Sequence, residues 1–367
     1  MERVLNYDKG FRIVSIAKED STRDDLLKDG LDFLYINKEN VVLYPDGTEL
    51  DFEYNNIETL KNGNDYDVYE LWPDGTLHLR YDDSTNENYF FITGRCNSNC
   101  IMCPSPDASR EKGVDTAIED LITLAYHIPR NTSHLTITGG EPFIIGERLF
   151  DFLEVLKQKF DRTQFLILTN GRVFALKKYI DLLLDTIPAN TTLAIPIHGS
   201  TPQLHDQITQ VENSFAQTIT GIKELIKHNI SIEIRIVISK LNAHDFNNIA
   251  KLICREFPGI AYVSVMATEM TGSARINKDR VWIPYKESFA FIAKGIEQLI
   301  SNGIYVRIYN YPLCTVDEKL RTLCVKSISP EKVRFLDICD ACRCKDACGG
   351  FFAGTYSYVK DEITPLV

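Results

Sequence analysis

Three cysteines stand close together in Gly94-Arg95-Cys96-Asn97-Ser98-Asn99-Cys100-Ile101-Met102-Cys103-Pro104, spaced Cys-x3-Cys-x2-Cys. Thiolates are the ligands expected of iron–sulfur clusters. Three of them leave one iron of a cubane without a protein ligand, and an open coordination position is what chemistry at a metal requires. A structural zinc loop wants four ligands and does not account for the missing fourth. A second group of thiols lies in the tail: Cys314, Cys324, then Cys339-Asp340-Ala341-Cys342-Arg343-Cys344-Lys345-Asp346-Ala347-Cys348-Gly349-Gly350-Phe351. Here Cys339, Cys342 and Cys348 are spaced Cys-x2-Cys-x5-Cys, and a structural zinc site is the competing reading. Cys254 stands alone in a helical pattern and reads as a small core residue. The residues from Met1 to Asp8 lack the apolar run of a secretion signal. In the reducing cytosol this implies, the ten cysteines are expected to be metal ligands rather than disulfides.

Loops that carry such ligands need a rigid frame, and the pattern from residue 89 supplies one. Short apolar runs at 89–93, 134–138, 165–169, 192–197, 231–238 and 260–265 read as strands. Helical patterns at 116–127, 147–160, 175–184, 215–227 and 246–255 alternate with them. Such alternation implies parallel strands joined by right-handed crossovers. Six units fall short of a full eight-fold barrel, so the expected fold is α/β, a partial (β/α)6 TIM-like barrel. Sites in barrels gather at the C-terminal ends of the strands, and both the cysteine loop and Thr138-Gly139-Gly140-Glu141-Pro142 fall at such ends. A further helix near 286–301 and a strand near 304–308 precede the cysteine-rich tail. Residues 1–88 have a different texture, with short alternating runs and two copies of one turn. Tyr44-Pro45-Asp46-Gly47-Thr48 and Trp72-Pro73-Asp74-Gly75-Thr76 use Pro to fix φ and Gly to supply φ > 0. Two hairpins follow. The expected organisation is a β-rich N-terminal domain (1–88), a barrel (89–303) and a cysteine-rich auxiliary domain (304–367).

Cys-x3-Cys-x2-Cys after the first strand of a β/α barrel resembles the signature of the radical S-adenosylmethionine (radical SAM) superfamily. The resemblance implies that Cys96, Cys100 and Cys103 hold a [4Fe–4S] cluster whose open iron is chelated by the amino and carboxylate groups of SAM. It implies that Met102 lies against adenine, and that Gly139, Gly140, Glu141 and Pro142 form the motif holding the SAM amino group. A carboxylate pairs naturally with an ammonium. Thr169 and Asn170 end the third strand, His198 and Ser200 the fourth, and Met266 the sixth, where similar enzymes contact SAM; His198 by itself reads equally as an ordinary hydrogen-bonded histidine. The tail resembles SPASM and twitch domains, which implies one auxiliary [4Fe–4S] cluster on Cys314, Cys339, Cys342 and Cys348. Cys344 is the rival ligand, and six cysteines are too few for a complete SPASM domain. The opening segment, the run from Ile92 to Asn97 and the ending Cys348-Gly349-Gly350-Phe351-Phe352 resemble the His-Xaa-Ser system radical SAM maturase HxsC. That resemblance implies a ribosomally made precursor peptide as substrate, an electron donor, and a sister radical SAM protein as partner.

Composition narrows the field. The 367 residues are 44% hydrophobic and 25% charged, the profile of a globular enzyme with a sizeable core. No apolar run reaches the ~18–20 residues of a membrane span. A net charge of −11, with 51 acidic against 40 basic residues, disfavours nucleic acid, whose phosphates are bound by Lys and Arg. Two other readings stay open: action on RNA or a small metabolite, and a non-catalytic partner of a catalytic sister. No residue is marked as a catalytic acid or base; Glu269, after the sixth strand, reads equally as a solvated carboxylate.

Overall fold

The computed structural model describes all residues except 1, 38, 39, 53–55, 106 and 360. The N-terminal part is a seven-stranded sheet. From edge to edge it runs Glu2–Arg3, Thr76–Tyr81, Val68–Leu71, Arg12–Ala17, Phe33–Ile36, Val41–Tyr44 and Thr48–Leu50. Both Pro-Asp-Gly-Thr words close antiparallel hairpins, Val41–Tyr44 with Thr48–Leu50 and Val68–Leu71 with Thr76–Tyr81. One pair, Arg12–Ala17 with Phe33–Ile36, is parallel, and the helix Asp20–Lys28 makes the crossover that a parallel pair requires. Val14, Ile16, Leu34, Val41, Leu43 and Leu71 form this sheet's own core. Its other face meets the helix Ile118–His127, where Ser15 Oγ and His127 Nδ1 lie 2.8 Å apart. Burial pushes the His127 imidazole down to about 4, so it sits there neutral.

The rest of the chain is built on an eight-stranded sheet, every pair parallel: β1 (Tyr89–Phe91), β2 (His134–Thr138), β3 (Gln164–Leu168), β4 (Thr191–Pro196), β5 (Ser231–Ile238), β6 (Tyr262–Ala267), β7 (Val306–Tyr309) and β8 (Cys324–Val325). The strands lie in chain order, with β1 and β8 at opposite edges. The six strands read from the sequence are β1–β6, and β7 and β8 extend the same parallel register. Alternation sorts the side chains. Leu135, Ile137, Phe165, Ile167, Leu193, Ile195, Ile234, Ile236, Val263, Val265 and Ile308 are buried against the helices. The other face is mostly polar: His134, Thr192, Glu233, Arg235, Tyr262, Arg307 and Tyr309, with Leu166, come from six strands and all line one cavity. A flat sheet could not bring six strands to one cavity, so the sheet curves around a lumen, as an open barrel does. Beyond β8 the tail is short 3-10 turns and one two-stranded ribbon, Val333–Arg334 with Phe351–Phe352. Among the described residues no helix is long and apolar enough to cross a membrane.

Candidate functional site

The cysteine loop leaves β1 and is fixed by backbone bonds from three directions. The Cys96 N–H donates to Arg110 O (3.1 Å), the Asn99 N–H to Thr209 O (2.9 Å) and the Ile101 N–H to Ile208 O (3.0 Å), while Cys103 O accepts from the Ser273 N–H (3.0 Å). Arg110, almost fully buried, donates to Asn99 Oδ1 and, at 2.9 Å, to Ser273 Oγ. Arg95 pairs with Asp115, which also accepts from Thr93 Oγ1 at 2.6 Å. A loop held so leaves its thiols little freedom.

The three thiols act on one another. Burial first, and then the charge of Glu141 and Cys103, push the Cys96 thiol up to about 11; burial, Cys103 and Cys96 push Cys100 up to about 12. The Ser98 N–H donates to Cys96 Sγ at 3.4 Å. Met102 is buried in a cluster with Ile101, Ile208, Met270 and Ala274, against which Cys100 packs.

Gly139 and Gly140 are required by the protein itself. A Cβ on Gly139 would stand 2.5 Å from Thr93 O, and one on Gly140 2.2 Å from Arg95 O. The pair therefore seats the end of β2 against the entrance of the cysteine loop, where Gly140 and Glu141 N–H donate to Thr93 and Arg95 carbonyls at 2.8 and 2.9 Å. The close approach is backbone to backbone, not only backbone to ligand. Gly140→Ala is expected to displace the loop and to lower stability by roughly 1–3 kcal/mol, the usual cost of overpacking. Thermal unfolding and iron uptake check this; an unchanged melting temperature and normal iron would contradict it.

Glu141 is buried, and burial pushes its carboxyl up against the opposing effect of its hydrogen bonds. Its Oε1 accepts from the Phe143 N–H (3.1 Å) and Thr169 Oγ1 (2.8 Å), its Oε2 from the Asn170 N–H (2.6 Å). Three of about four lone-pair directions are thus filled, leaving one for an ammonium group. Asn170 reaches back to Asn97 Oδ1 at 2.6 Å. Arg172 donates to Asn97 O (2.9 Å) and Ser98 Oγ (3.2 Å). The structure therefore brings Glu141, Thr169 and Asn170 together beside the cysteine loop.

The other residues expected to contact SAM lie at the ends of the fourth and sixth strands, each in its own surroundings. The Ser200 hydroxyl donates to Asp245 Oδ1 at 2.9 Å and its N–H to Oδ2 at 2.7 Å, so its one donor is engaged. His198 is buried, held down to about 3 by burial and then by His205, onto which it stacks at 5.7 Å. Its Nδ1 is buried without a hydrogen-bond partner. Met266, one residue before the end of β6, is on the lumen face, in register with Val237 and Tyr309. Arg110 and Arg172 were not marked by the sequence, because their partners are assembled only by tertiary contact.

In the tail, Cys314, Cys339, Cys342 and Cys348 line one cavity with Pro312, Phe335, Lys345 and Phe351. Cys348 Sγ accepts from the Leu313 and Gly350 N–H groups, and Cys342 Sγ from the Leu366 N–H, each at 3.4 Å. Gly350 takes φ +62° against Val333 and Arg334, which is how its N–H turns back onto Cys348. Cys344 does not line the cavity. Cys324 is the nearer neighbour: burial, then the charge of Cys348, push its thiol up to about 12. Among the described residues no three Cys, His, Asp or Glu side chains stand close enough to hold a single metal ion. The four tail thiols surround a space instead of converging on a point. Four sulfurs around a cavity, with amide donors aimed at them, suit a four-thiolate cluster.

The part of the chain that carries the cysteine loop and Glu141 is similar to known proteins. Residues 90–253 match the profile of the radical SAM superfamily. The antilisterial bacteriocin subtilosin biosynthesis protein AlbA of Bacillus subtilis is 25% identical over 164 residues, 45% of this chain and 36% of AlbA. The AdoMet-dependent heme synthase of Methanosarcina barkeri is 23% identical over 178 residues, 47% of each chain. The crystal structure of Streptococcus suis SuiB matches with a TM-score of 0.49 at 14% identity, over 71% of this chain and 55% of SuiB. The chain thus spans less than half the length of these two curated relatives.

Proposed function

We propose that this chain, whose residues 90–253 match the radical SAM superfamily, is a member of it, cleaves S-adenosylmethionine reductively and uses the product to modify a ribosomally made peptide. The observation that carries this reading is the fixed three-thiol loop at the C-terminal rim of a polar lumen, with Glu141 beside it. Cys96, Cys100 and Cys103 hold a [4Fe–4S] cluster and leave one iron for SAM. The free lone-pair direction of Glu141 takes the SAM amino group, and Asn170 and Arg172 hold the loop in place while it does. Bound there, the cluster and SAM would supply reductive SAM cleavage and the means to abstract hydrogen from carbon; that chemistry belongs to the cofactors. The chain's own work is to orient them, to close the lumen to water and to present the substrate carbon.

Cys314, Cys339, Cys342 and Cys348 hold one auxiliary cluster that is closed and either structural or electron-relaying. A peptide substrate is supported by the likeness to a bacteriocin biosynthesis protein and by the SPASM-like tail. The HxsC resemblance points to a cross-link or related side-chain modification, with a sister radical SAM protein and an electron donor as partners. The likeness to a heme synthase supports a second reading, a small-metabolite substrate. The two are separated by incubating reconstituted, reduced enzyme and SAM with short peptides encoded beside its gene, and in parallel with small-metabolite candidates. Mass spectrometry is expected to find a peptide that has lost hydrogen. SAM turnover stimulated by a metabolite and by no peptide would overturn the peptide reading.

A further inference from the structure

We infer that the lumen carries a carboxylate-binding row, Arg235–Ser264–Arg307, that anchors the substrate below the SAM site. This deepens the peptide reading and rests on the lumen being where substrate lies. Arg235 of β5 is in register with Ser264 of β6, and Ser264 with Arg307 of β7. In a parallel sheet residues in register share a face, and alternation puts all three on the lumen side, with Tyr262 below and Met266 above Ser264. Arg235 and Arg307 both line the lumen cavity. Their backbones are two strands apart, roughly 10 Å, a span that two guanidinium groups can close from either side of one ligand.

The charges in the row are unequal. Arg235 donates through Nε to Glu233 Oε1 at 2.8 Å, and Glu233, buried, also accepts from Tyr262 OH at 3.1 Å. That pair is neutral, yet the outer nitrogens of Arg235 remain as donors. Arg307 lies over the Tyr262 ring at 4.5 Å and near that of Tyr305 at 5.8 Å, and among the described residues no carboxylate pairs with it. Ser264 between them is fully buried, and its Oγ has no hydrogen-bond partner. Buried hydroxyls are nearly always satisfied; this one lacks a partner that a ligand would supply. One uncompensated positive charge, flanked by forked donors and a hydroxyl, fits a monoanionic planar group. The buried Glu233 carboxylate disfavours a dianion such as phosphate. The rung above, Val237–Met266–Tyr309, is about 7 Å away along the strands, so an anchored carboxylate holds its neighbouring carbons beneath the proposed SAM site. The carboxylate is that of an acidic side chain or of the peptide C-terminus.

The test uses the full chain and three probes: N-acetyl-glutamate methylamide, N-acetyl-alanine, and N-acetyl-glutamine methylamide as the uncharged control. Binding is followed by ligand-observed magnetic resonance or calorimetry. At least one acid is expected to bind about ten-fold more tightly than the amide, a difference of about 1.4 kcal/mol, and which acid it is tells side chain from C-terminus. Arg307→Gln is expected to erase the preference, and Arg307→Lys and Ser264→Ala each to reduce it several-fold. Circular dichroism monitors folding; should Arg307→Gln fail to fold, the other two variants decide. Equal binding of acids and amide, or a preference untouched by the folded variants, would overturn the row. The probes need neither cluster nor turnover. Acid-selective binding in a chain that modifies no peptide would therefore overturn only the peptide reading.

Discussion

Replacing Cys100 with alanine is expected to remove about four of roughly eight irons per chain and to abolish reductive cleavage of SAM. Cys100 lies between the other two thiols in sequence, and its own thiol is pushed up to about 12 by burial and by the charges of Cys103 and Cys96. Three thiolates so placed repel one another unless iron compensates them, and without Cys100 the loop offers a cubane only two thiolates. The loop backbone is held by Arg110, Thr209 and Ile208 contacts that do not involve the Cys100 side chain. The variant should therefore fold, with a circular dichroism spectrum like the parent's. Iron and sulfide assays with SAM turnover check this. Normal turnover in the variant would remove the cluster assignment altogether. Loading carries a related expectation. Because burial raises the Cys96 and Cys100 thiols above their usual range, each ligand must release a proton to bind iron. Cluster uptake is accordingly favoured as pH rises.

The second large effect is expected from Cys348→Ala, which should lose the auxiliary cluster and keep the SAM-cleaving one. Cys348 is nearly buried, lines the tail cavity with Cys314, Cys339 and Cys342, and accepts two amide hydrogens at its sulfur. Removing it opens the cluster's fourth corner and unties the turn between Leu313 and Gly350. Mössbauer spectra of anaerobically purified protein are expected to fall to about four irons per chain, with the signal of the three-cysteine cluster intact. Cys344→Ala, outside the cavity, should leave the iron content unchanged, whereas Cys324→Ala tests the thiol that lies near Cys348. A tail that holds one zinc, in a protein with only four irons, would replace the auxiliary cluster with a structural ion.

What could be read from the sequence followed from periodicity. The strand and helix patterns between 89 and 301 were legible because each strand presents a continuous apolar face to the helices. The helix Asp20–Lys28 was not, because its sequence DSTRDDLLK buries only Thr22 and Leu26. The helix Pro202–Thr209 did carry a start signal: Thr201 accepts the Leu204 N–H, and Pro202 occupies the first turn. The strand Cys324–Val325 is too short to have a period. The three-cysteine loop, Glu141 and the four tail thiols, which the structure groups in two places, could be picked out from spacing and resemblance. Their supports could not: Arg110 and Arg172 touch the loop from residues far along the chain. Ser200 shows the converse, a polar residue at a strand end whose hydroxyl is engaged by Asp245. The Arg235–Ser264–Arg307 row depends on the register of three strands, which no single strand's pattern contains.

The most direct test of the central claim is the appearance of 5′-deoxyadenosine when anaerobically reconstituted, reduced protein is mixed with SAM. The fixed three-thiol loop, with an open iron and Glu141 beside it, predicts 5′-deoxyadenosine and methionine in equal amounts, even slowly and without peptide. A protein that carries its full complement of iron, binds SAM and still forms no 5′-deoxyadenosine under reducing conditions, with or without peptide, would contradict the account.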